Sequence, residues 1–507
     1  MAEYQTLAAV DLGSNSFHCQ IARVLGEQLY PLDSLREPVR LAAGLTADRH
    51  LNEEVQERAL ACLHRFGERL RGFERGAVRA VGTNTLRVAK NASSFIRRAV
   101  EALGFPIEVV AGREEARLIY LGVAHSIPAS PDKRLVVDIG GGSTEFIIGT
   151  HYRARLLQSL YMGCVSYSLR YFGDGRLTRS AFKQAELAAR NEVQPIYADF
   201  GPTHWSEAVG SSGTLRTIAQ VMQLNGMDDG DISPSGLDRL RASLIKAGDL
   251  ADLALTGLRP DRVPVLPGGV AIIRAIMAEL GIQRMTVAPG AMREGLLYDL
   301  LGRVHRHDMR DVTVAQFMQR YHVDAKQARQ VAALAHTLCA DFRWDSAQDA
   351  EYATRQLAWA AKLHEIGIPV AYSGYHRHGA YILANADMPG FSRDEQQTLS
   401  ALVLAHRRSL RKVWPAVREK IDPRLILALR LAVLFYRHRT AIDLREPRIR
   451  TEPNGFRLVL DRDWLHRNPL TAAVLDEEVK EWLKIGYDVR VPGLAEAIDH
   501  TNPAAGD

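Results

Sequence analysis

Two short stretches of the sequence place an acidic residue, glycines and hydroxyl or amide side chains at the end of an apolar strand pattern. In VDLGSNSF (10–17) the candidate residues are Asp11, Gly13, Ser14, Asn15 and Ser16. In LVVDIGGGSTE (135–145) they are Asp138, Gly140, Gly141, Gly142, Ser143, Thr144 and Glu145. Glycine turns let backbone N–H groups face an anion, and the polar side chains add donors for phosphate oxygens. A carboxylate beside bound phosphate suits Mg²⁺, so Asp11 and Asp138 are predicted to hold that ion.

The two stretches form an internal repeat. Asp138 follows Asp11 by 127 residues, and each lies between two strand-like segments. This period is far too long for a solenoid, so it predicts two similar α/β lobes with a cleft between them. A single glycine-rich loop is often an ordinary hairpin turn, but the repetition favours a phosphate site.

Hydrolysis of a phosphate bond also needs a general base, and REEA (113–116) offers two carboxylates. The strand-like segment PIEVVAG precedes it, so Glu114 and Glu115 fall on the first turn of a helix, where the macrodipole favours acids in any case. One of them could deprotonate a water for in-line attack on a terminal phosphorus. The residues alone leave the choice between the two glutamates open. Arg113 and Arg117 are explained equally well by a solvated helix surface.

The patterns around these motifs predict the elements that must position them. Short strands alternate with helical segments up to about residue 301, which predicts sheets covered by helices. We predict a first lobe over 1–125 and a second over 126–303. Helical periodicity then predicts an all-α domain over 304–444, and returning strand patterns predict a small α+β domain over 445–507.

Composition places the chain among folded globular proteins. Of its 507 residues, 47% are hydrophobic and 24% charged, which excludes disordered and fibrous classes. Four widely spaced cysteines show neither disulfide nor zinc spacing, which favours a reducing cytoplasm. We expect no signal peptide. The apolar run 425–436 is too short to span a bilayer and contains Arg430, so it is predicted to be a buried helix, and peripheral contact with the inner face of the cell membrane is left open.

The net charge of +5 is distributed unevenly. Residues 401–450 carry thirteen Lys or Arg against four acids, a net +9. Such a field predicts an extended anionic partner, although a solvated face is the alternative. The candidate channel residues are His376, Arg377, His378, Arg407, Arg408, Arg411 and Lys412.

Eight motifs in a fixed order carry a family resemblance. They are VDLGSNSFH, VRAVGTNTLR, GREEARLIY, LVVDIGGGSTE, MGCVS, GSSGT, PGAMREGLLY and LHEIG. Across nearly its full length the sequence resembles the exopolyphosphatase and guanosine pentaphosphate phosphohydrolase family. The resemblance implies two N-terminal lobes of the actin, Hsp70 and acetate kinase type (ribonuclease H-like). It also implies Mg²⁺-dependent removal of the terminal phosphate of polyphosphate or guanosine pentaphosphate.

The resemblance also implies roles for individual residues. It places the catalytic glutamate at Glu115 and makes Asp138 and Glu145 the acids that handle metal and water. Further phosphate contacts are implied for Arg87 of GTNTLR and for Ser211, Ser212 and Gly213 of GSSGT.

Within the family, the motifs favour one substrate. IGGGST and the segment 374–391 look closer to polyphosphate-cleaving members, whereas PVRLAAGL (38–45) also resembles those that cleave guanosine pentaphosphate. The basic segment suits a long polyanion, so we predict inorganic polyphosphate as the substrate and guanosine pentaphosphate as the alternative. We expect a cytoplasmic homodimer that does not bind nucleic acid.

The helical domain resembles the HD phosphohydrolase fold but departs from its metal-binding pattern. His364 is followed by Glu365 rather than by Asp. His336, His364 and His406 therefore lack a hard anionic partner, and we expect this domain to serve binding and dimer contacts instead of a second metal centre.

Two other classes of function remain open at this stage. A sugar or carboxylate kinase would use the same two lobes, with GSSGT and PGAMREG around its adenosine. A phosphate sensor would bind without turnover. Glu115 and the basic segment 401–450 favour hydrolysis, in which water accepts the phosphoryl group.

Overall fold

The computed structural model describes residues 4–128, 130–304, 308–440, 442–444 and 447–499. The chain divides into two compact units, Met1–Met309 and Arg310–Asp507. The predicted boundaries near 125 and 444 lie inside these units and stay predictions.

Ten strands and eleven α-helices lie in the described part of unit 1. The strands are β1 Thr6–Leu12, β2 Phe17–Leu25, β3 Gln28–Glu37, β4 Val78–Gly82, β5 Ile107–Val109, β6 Arg134–Ile139, β7 Thr144–Thr150, β8 Arg153–Leu160, β9 Glu207–Ser211 and β10 Thr286–Val287. The helices are α1 Glu53–Arg69, α2 Asn84–Val88, α3 Ala92–Leu103, α4 Gly112–Ser126, α5 Cys164–Phe172, α6 Arg179–Val193, α7 Tyr197–Phe200, α8 Ser212–Leu224, α9 Pro234–Ala247, α10 Leu266–Leu280 and α11 Met292–Val304. Short 3₁₀ turns occur at Leu41–Gly44, Arg75–Ala77, Gln194–Ile196 and Val263–Val265.

The strand order confirms the internal repeat. The first sheet runs β3-β2-β1-β4-β5 and the second β8-β7-β6-β9-β10, so corresponding strands occupy corresponding places. In the first sheet the central strand β1 pairs antiparallel with β2 and parallel with β4. In the second sheet the central strand β6 pairs in the same way with β7 and β9. Every residue of β6 is buried, as expected for an apolar strand covered on both faces. Asp11 and Asp138 therefore lie near the carboxyl ends of two equivalent central strands.

Two helices from different halves of unit 1 cross at close range. α4 follows β5, whereas α11 follows β10, and the two pack against each other. A methyl group added at Gly295 of α11 would meet the main-chain carbonyl of Leu118 on α4, so only glycine permits this approach. The crossing brings the helix that carries Glu115 beside the helix that carries Arg293.

One segment of unit 1 resembles a membrane span by length and composition. Val263–Leu280 is apolar enough to cross a bilayer, but 72% of it is buried within the protein. Its α10 portion packs against α5 and α6 in the core that covers the second sheet.

Unit 2 combines a helical region with a small sheet. Its helices are α12 Met309–Arg320, α13 Ala325–Cys339, α14 Ala347–Leu363, α15 Tyr375–Asn385, α16 Arg393–Ala405, α17 Leu410–Val417, α18 Pro423–Phe435, α19 Arg462–Arg467, α20 Pro469–Leu483 and α21 Leu494–Asp499. The strands β11 Arg448–Glu452, β12 Gly455–Val459 and β13 Asp488–Arg490 form one sheet. Helices and sheet share a single hydrophobic core, which includes Phe391, Leu429, Phe456 and Trp482.

Candidate active site

The two glycine-rich turns meet in unit 1. A methyl group added at Gly141 would lie 2.9 Å from Cβ of Ser14 and 3.2 Å from the main-chain nitrogen of Asn15. The turn at 140–143 can therefore approach the turn at 13–16 only because position 141 lacks a side chain. The Thr85 hydroxyl donates to Oγ of Ser14 at 2.8 Å and holds that side chain in place.

A cavity of about 390 Å³ opens where these turns meet. Twelve of the predicted site residues line it: Asp11, Gly13, Ser14, Asn15, Ser16, Glu115, Asp138, Gly140, Gly141, Ser143, Ser212 and Gly213. Ser212 has a φ of 87°, a strained conformation for a residue with a side chain, and such strain often occurs at binding sites.

Five predicted site residues are not among the residues that line the cavity. Glu145 pairs with Asp138 across β6 and β7 and accepts a hydrogen bond from Ser159 at 2.9 Å. Arg87, predicted to bind phosphate, instead donates to Glu115 at 2.6 Å and to the Val110 carbonyl at 3.0 Å. The other three contact the protein itself: Thr144 donates to the Met162 carbonyl, Ser211 donates to the Gly290 carbonyl, and Gly142 packs against Asn84.

The two neighbouring glutamates, Glu114 and Glu115, have different surroundings in the structure. Glu114 is bound by the guanidinium of Arg117 through two contacts of 2.8 Å, within a buried ion network that includes Asp299 and Arg79. Glu115 lines the cavity and is held from behind by Arg87. Glu114 is therefore a structural residue, and Glu115 is the carboxylate available to a ligand.

The buried carboxylates at the site repel one another. Burial, and then the charge of Glu115, raises the pKa of Asp11 to about 8, although Arg293 opposes the shift. Burial also raises the pKa of Asp138 to about 6, against a hydrogen bond from Ser211. Burial, reinforced by Glu115 and Asp138, raises the pKa of Glu145 well above its ordinary value.

These carboxylates fit a divalent cation. Oδ1 of Asp11 and Oε2 of Glu145 are buried and have no hydrogen-bond partner in the described part of the chain. Among the described residues, no three His, Cys, Asp or Glu side chains converge into a complete ligand set. Mg²⁺ takes only one or two carboxylates and completes its shell with water and phosphate, so the donor set matches its requirements.

Five arginines and a histidine around the cavity were not predicted from the sequence. Arg36, Arg216, Arg259, Arg262 and Arg293 line it together with His18. Arg216 and Arg293 could have been found, because each follows a glycine turn that the sequence shows, GSSGT or PGAM. His18 also lies at the end of a quoted motif, VDLGSNSFH, whereas Arg36, Arg259 and Arg262 had no comparable signal.

The arginines crowd one another in a way that favours a bound anion. Burial and the nearby charge of Arg293 lower the pKa of Arg216, and burial and Arg36 lower that of Arg262. Arg293 donates to Nδ1 of His18 at 2.9 Å, and burial keeps the pKa of that imidazole well below its ordinary value. A phosphate group would relieve the repulsion among these guanidinium groups.

The candidate channel residues in unit 2 do not form one uniform surface. Arg377, Arg408, Arg411 and Lys412 are exposed, and Arg407 and His378 are half-buried. His376 is buried, and burial lowers its pKa to about 4, so it presents no charge to a polyanion. His336 is exposed, whereas His364 and His406 lie together with ring centroids 5.5 Å apart.

Comparison with known proteins gives a family for this architecture. The model of the Ppx/GppA phosphatase family matches residues 20–304, and that of the Ppx/GppA phosphatase domain III matches residues 309–479. The chain belongs to the Ppx/GppA phosphatase family. It therefore has the two-lobed, actin-like α/β fold of these phosphatases, followed by a helical C-terminal region.

Several solved structures resemble more than half of this chain. An exopolyphosphatase from Cytophaga hutchinsonii is 25% identical with a TM-score of 0.54, and the match covers 59% of this chain and 98% of that one. An exopolyphosphatase-like protein is 23% identical with a TM-score of 0.53, covering 59% and 99%. A Ppx/GppA enzyme from Aquifex aeolicus is 24% identical with a TM-score of 0.49, covering 58% and 99%.

The raised pKa of Asp11 predicts how pH affects the stability of this phosphatase without metal. An unfolded Asp loses its proton near 3.8 and the folded one near 8, so the folded state binds more protons between these values and stability falls as pH rises. We expect Asp11→Asn to weaken this fall and to raise the thermal midpoint at pH 8 by about 2–5 °C. Thermal unfolding in a chelator at pH 5.5 and pH 8 measures both effects. Identical pH dependence in the two proteins would contradict the prediction.

Proposed function

We propose that this Ppx/GppA phosphatase is an exopolyphosphatase, which releases the terminal phosphate of inorganic polyphosphate with Mg²⁺. One observation carries the proposal: a single cavity joins Glu115, two carboxylates at strand ends, two donor-rich turns and five arginines. Such a site can neutralise a highly charged phosphate chain and present a base to water.

In the proposed reaction, Glu115 orients a water and takes its proton as the oxygen bonds to the terminal phosphorus. The bond from that phosphorus to the bridging oxygen breaks, and the shortened chain leaves with the electron pair. The turns at 13–16 and 140–143 hold the phosphate oxygens through backbone N–H and hydroxyl groups. Arg87 holds Glu115 in position rather than contacting substrate.

The proposed Mg²⁺ would be held by Asp11 and Asp138, with Glu145 close behind. When bound, it neutralises charge on phosphate oxygens and lowers the pKa of coordinated water. Its positive charge would also favour ionisation of the buried carboxylates, whose pKa values are raised without it.

The lining of the cavity supports polyphosphate over a guanosine nucleotide. Apart from His18, none of the described residues that line it is aromatic, so the walls offer no Phe, Tyr or Trp for a base to stack on. The Cytophaga hutchinsonii protein, named an exopolyphosphatase, agrees with this preference.

Comparative phosphate release tests the proposal. Long polyphosphate, short polyphosphate and guanosine pentaphosphate are incubated separately with the protein and Mg²⁺, with no second substrate. We expect the highest kcat/KM on polyphosphate. A higher value on guanosine pentaphosphate would make the chain a pentaphosphate 5'-phosphohydrolase, transfer of phosphate to a sugar or ADP would make it a kinase, and binding without turnover would make it a sensor.

An ion pair at the cavity predicts that one acid opposes substrate binding. Arg36 donates to Oδ2 of Asp261 at 2.8 Å, and Asp261 also lies 3.1 Å from Arg259. Its carboxylate binds the guanidinium groups of Arg36 and Arg259, which could otherwise bind a phosphate. We expect Asp261→Asn to lower the KM for tripolyphosphate about 3–10-fold with little change in kcat, an effect of the size expected for a half-buried ion pair. Steady-state kinetics at fixed ionic strength measures it, and an unchanged or higher KM would contradict the prediction.

We further propose that two exposed basic side chains of unit 2, Arg411 and Lys412, bind distant phosphates of long chains. Arg411 and Lys412 are exposed at the start of α17 and form no salt bridge with other described residues. We expect their joint replacement by Glu to raise KM for long polyphosphate about 10-fold but that for tripolyphosphate less than 2-fold, with the difference shrinking at high salt. Equal effects on both substrates would show that the pair is only a solvated surface.

The remaining parts of the proposal concern assembly and location. We propose that unit 2 retains an HD-like helical fold and supports a homodimer in the cytoplasm. Sedimentation of the full chain tests the dimer, and cell fractionation tests the location and any peripheral membrane contact.

A further inference from the structure

Unit 2 contains a second cavity, of about 620 Å³, which the proposed reaction does not use. Two buried histidines and a glutamine line it together with five arginines, two lysines and four glutamates. Acceptors and cations in one cavity restrict the chemistry of a ligand, because the ligand must offer donors to the first group and negative charge to the second.

The tautomers of the two buried histidines follow from their contacts. Nδ1 of His364 lies 2.7 Å from the Ala361 carbonyl, and Nδ1 of His406 lies 2.6 Å from the Val403 carbonyl. A carbonyl only accepts, so each Nδ1 carries the proton and each Nε2 carries a lone pair. Burial lowers the pKa of His364 to about 4 and that of His406 well below its ordinary value, so both rings are neutral.

Three acceptor atoms at this cavity lack partners within the described residues. Nε2 of His364 and Nε2 of His406 form no hydrogen bond. Water does not reach them freely either, because the two residues are only 1% and 2% exposed. Gln327 donates through its amide nitrogen to the Tyr436 carbonyl at 2.9 Å, which leaves its buried Oε1 unpartnered. Buried polar atoms normally have partners, so these acceptors call for O–H or N–H donors.

Three of the arginines remain available to an anion. Arg430 is bound to Glu478, and Arg439 to Glu365 and Asp324. In contrast, Arg407, Arg408 and Arg437 form no salt bridge with any other described residue. The Arg407 guanidinium lies 4.4 Å from the ring centre of Tyr375, which orients it without neutralising it.

Neither a metal ion nor polyphosphate complements both the unpartnered acceptor atoms and the unpaired arginines. Three of the four glutamates that line the cavity are already paired with a cation: Glu365 with Arg439, Glu478 with Arg430 and Glu481 with Lys484. The unpaired arginines would therefore repel a metal ion, and no three His, Cys, Asp or Glu side chains of the described residues converge on one point here. A fully ionised polyphosphate offers only acceptor oxygens, which would face the lone pairs of His364 and His406. A phosphate monoester with hydroxyl or amino groups supplies both the negative charge and the donors.

We propose that this cavity binds a small phosphate monoester whose organic part carries hydroxyl or amino donors, such as a sugar phosphate or a nucleoside monophosphate. Its phosphate contacts Arg407, Arg408 and Arg437. Its donors contact Nε2 of His364, Nε2 of His406 and Oε1 of Gln327. The proposal does not depend on which substrate unit 1 hydrolyses.

Calorimetric titration of the full chain tests this site with ribose 5-phosphate and guanosine 5'-monophosphate as probes. Inorganic phosphate, ribose and tripolyphosphate are the comparison ligands. We expect at least one monoester to bind about 10-fold more tightly than inorganic phosphate or ribose. Arg408→Ala and Arg437→Ala, both at exposed positions, should each weaken it about 10-fold, and His406→Phe should abolish the preference over inorganic phosphate.

Arg293→Gln in unit 1 is the matched control, because it removes a guanidinium from the other cavity and should leave monoester affinity unchanged. Loss of binding in Arg293→Gln but not in Arg408→Ala would assign the monoester to the active site and overturn the proposal. Failure of both monoesters to bind, or tighter binding of tripolyphosphate that Arg408→Ala weakens, would also overturn it. If His406→Phe does not fold, the two arginine variants decide the outcome.

Discussion

Glu115→Gln is expected to lower kcat for phosphate release about 10²-fold or more while leaving polyphosphate affinity within a few-fold of normal. The substitution keeps the volume of the side chain and its ability to bind Arg87, but it removes the base that lines the cavity. Single-turnover phosphate release measures the rate of the chemical step, and calorimetry with polyphosphate measures binding.

The neighbouring glutamate provides the control. Glu114→Gln breaks a buried ion pair with Arg117 and is expected to destabilise unit 1 by about 3 kcal/mol, with kcat per folded molecule retained. We therefore expect Glu115→Gln to lower kcat with little effect on thermal unfolding, and Glu114→Gln to lower the thermal midpoint with little effect on kcat. Normal turnover in Glu115→Gln, or a loss of rate confined to Glu114→Gln, would contradict the assignment of the base.

Asp138→Asn is expected to lower kcat about 10²–10³-fold and to raise the Mg²⁺ concentration for half-maximal rate, because a carboxylate ligand is replaced by a neutral amide. A second readout is independent of activity. Mg²⁺ should raise the thermal midpoint of the normal protein at pH 8, where it relieves the repulsion among Asp11, Asp138 and Glu145, and this rise should shrink in the variant.

Asp132→Asn is the control for this experiment, since Asp132 is an exposed residue just before β6. It should respond to Mg²⁺ as the normal protein does. An unchanged metal response in Asp138→Asn would show that the ion is held elsewhere, and full activity in a chelator would remove Mg²⁺ from the proposed function.

Much of the fold could be predicted because it depends on local patterns. The repeat around Asp11 and Asp138 predicted two similar lobes, and the strand orders of the two sheets confirm it. Alternation and helical periodicity located most elements. The boundary near residue 444 stays a prediction. The C-terminal sheet packs into the same core as the helices, and a change in pattern along the chain does not reveal such packing.

The candidate site was predictable only where its residues lie within a motif. Both glycine turns line the cavity, as their composition suggested. Arg36, Arg259 and Arg262 come from segments without a distinctive pattern, and the folded chain alone brings them to the cavity. His376 shows the converse, because a basic segment predicted a charged channel residue, whereas burial makes this side chain neutral.

The sequence by itself determined the two turns and the acids beside them, because a phosphate site imposes residue types over a few adjacent positions. The family resemblance pointed to Glu115, but only the tertiary structure shows how the surroundings of Glu114 and Glu115 differ. Adjacent residues on a helix point about 100° apart, so one glutamate joins the buried ions of Arg117 and Asp299 while the other enters the cavity. The partners that make this distinction lie far away in the chain, and only the packed lobes bring them together.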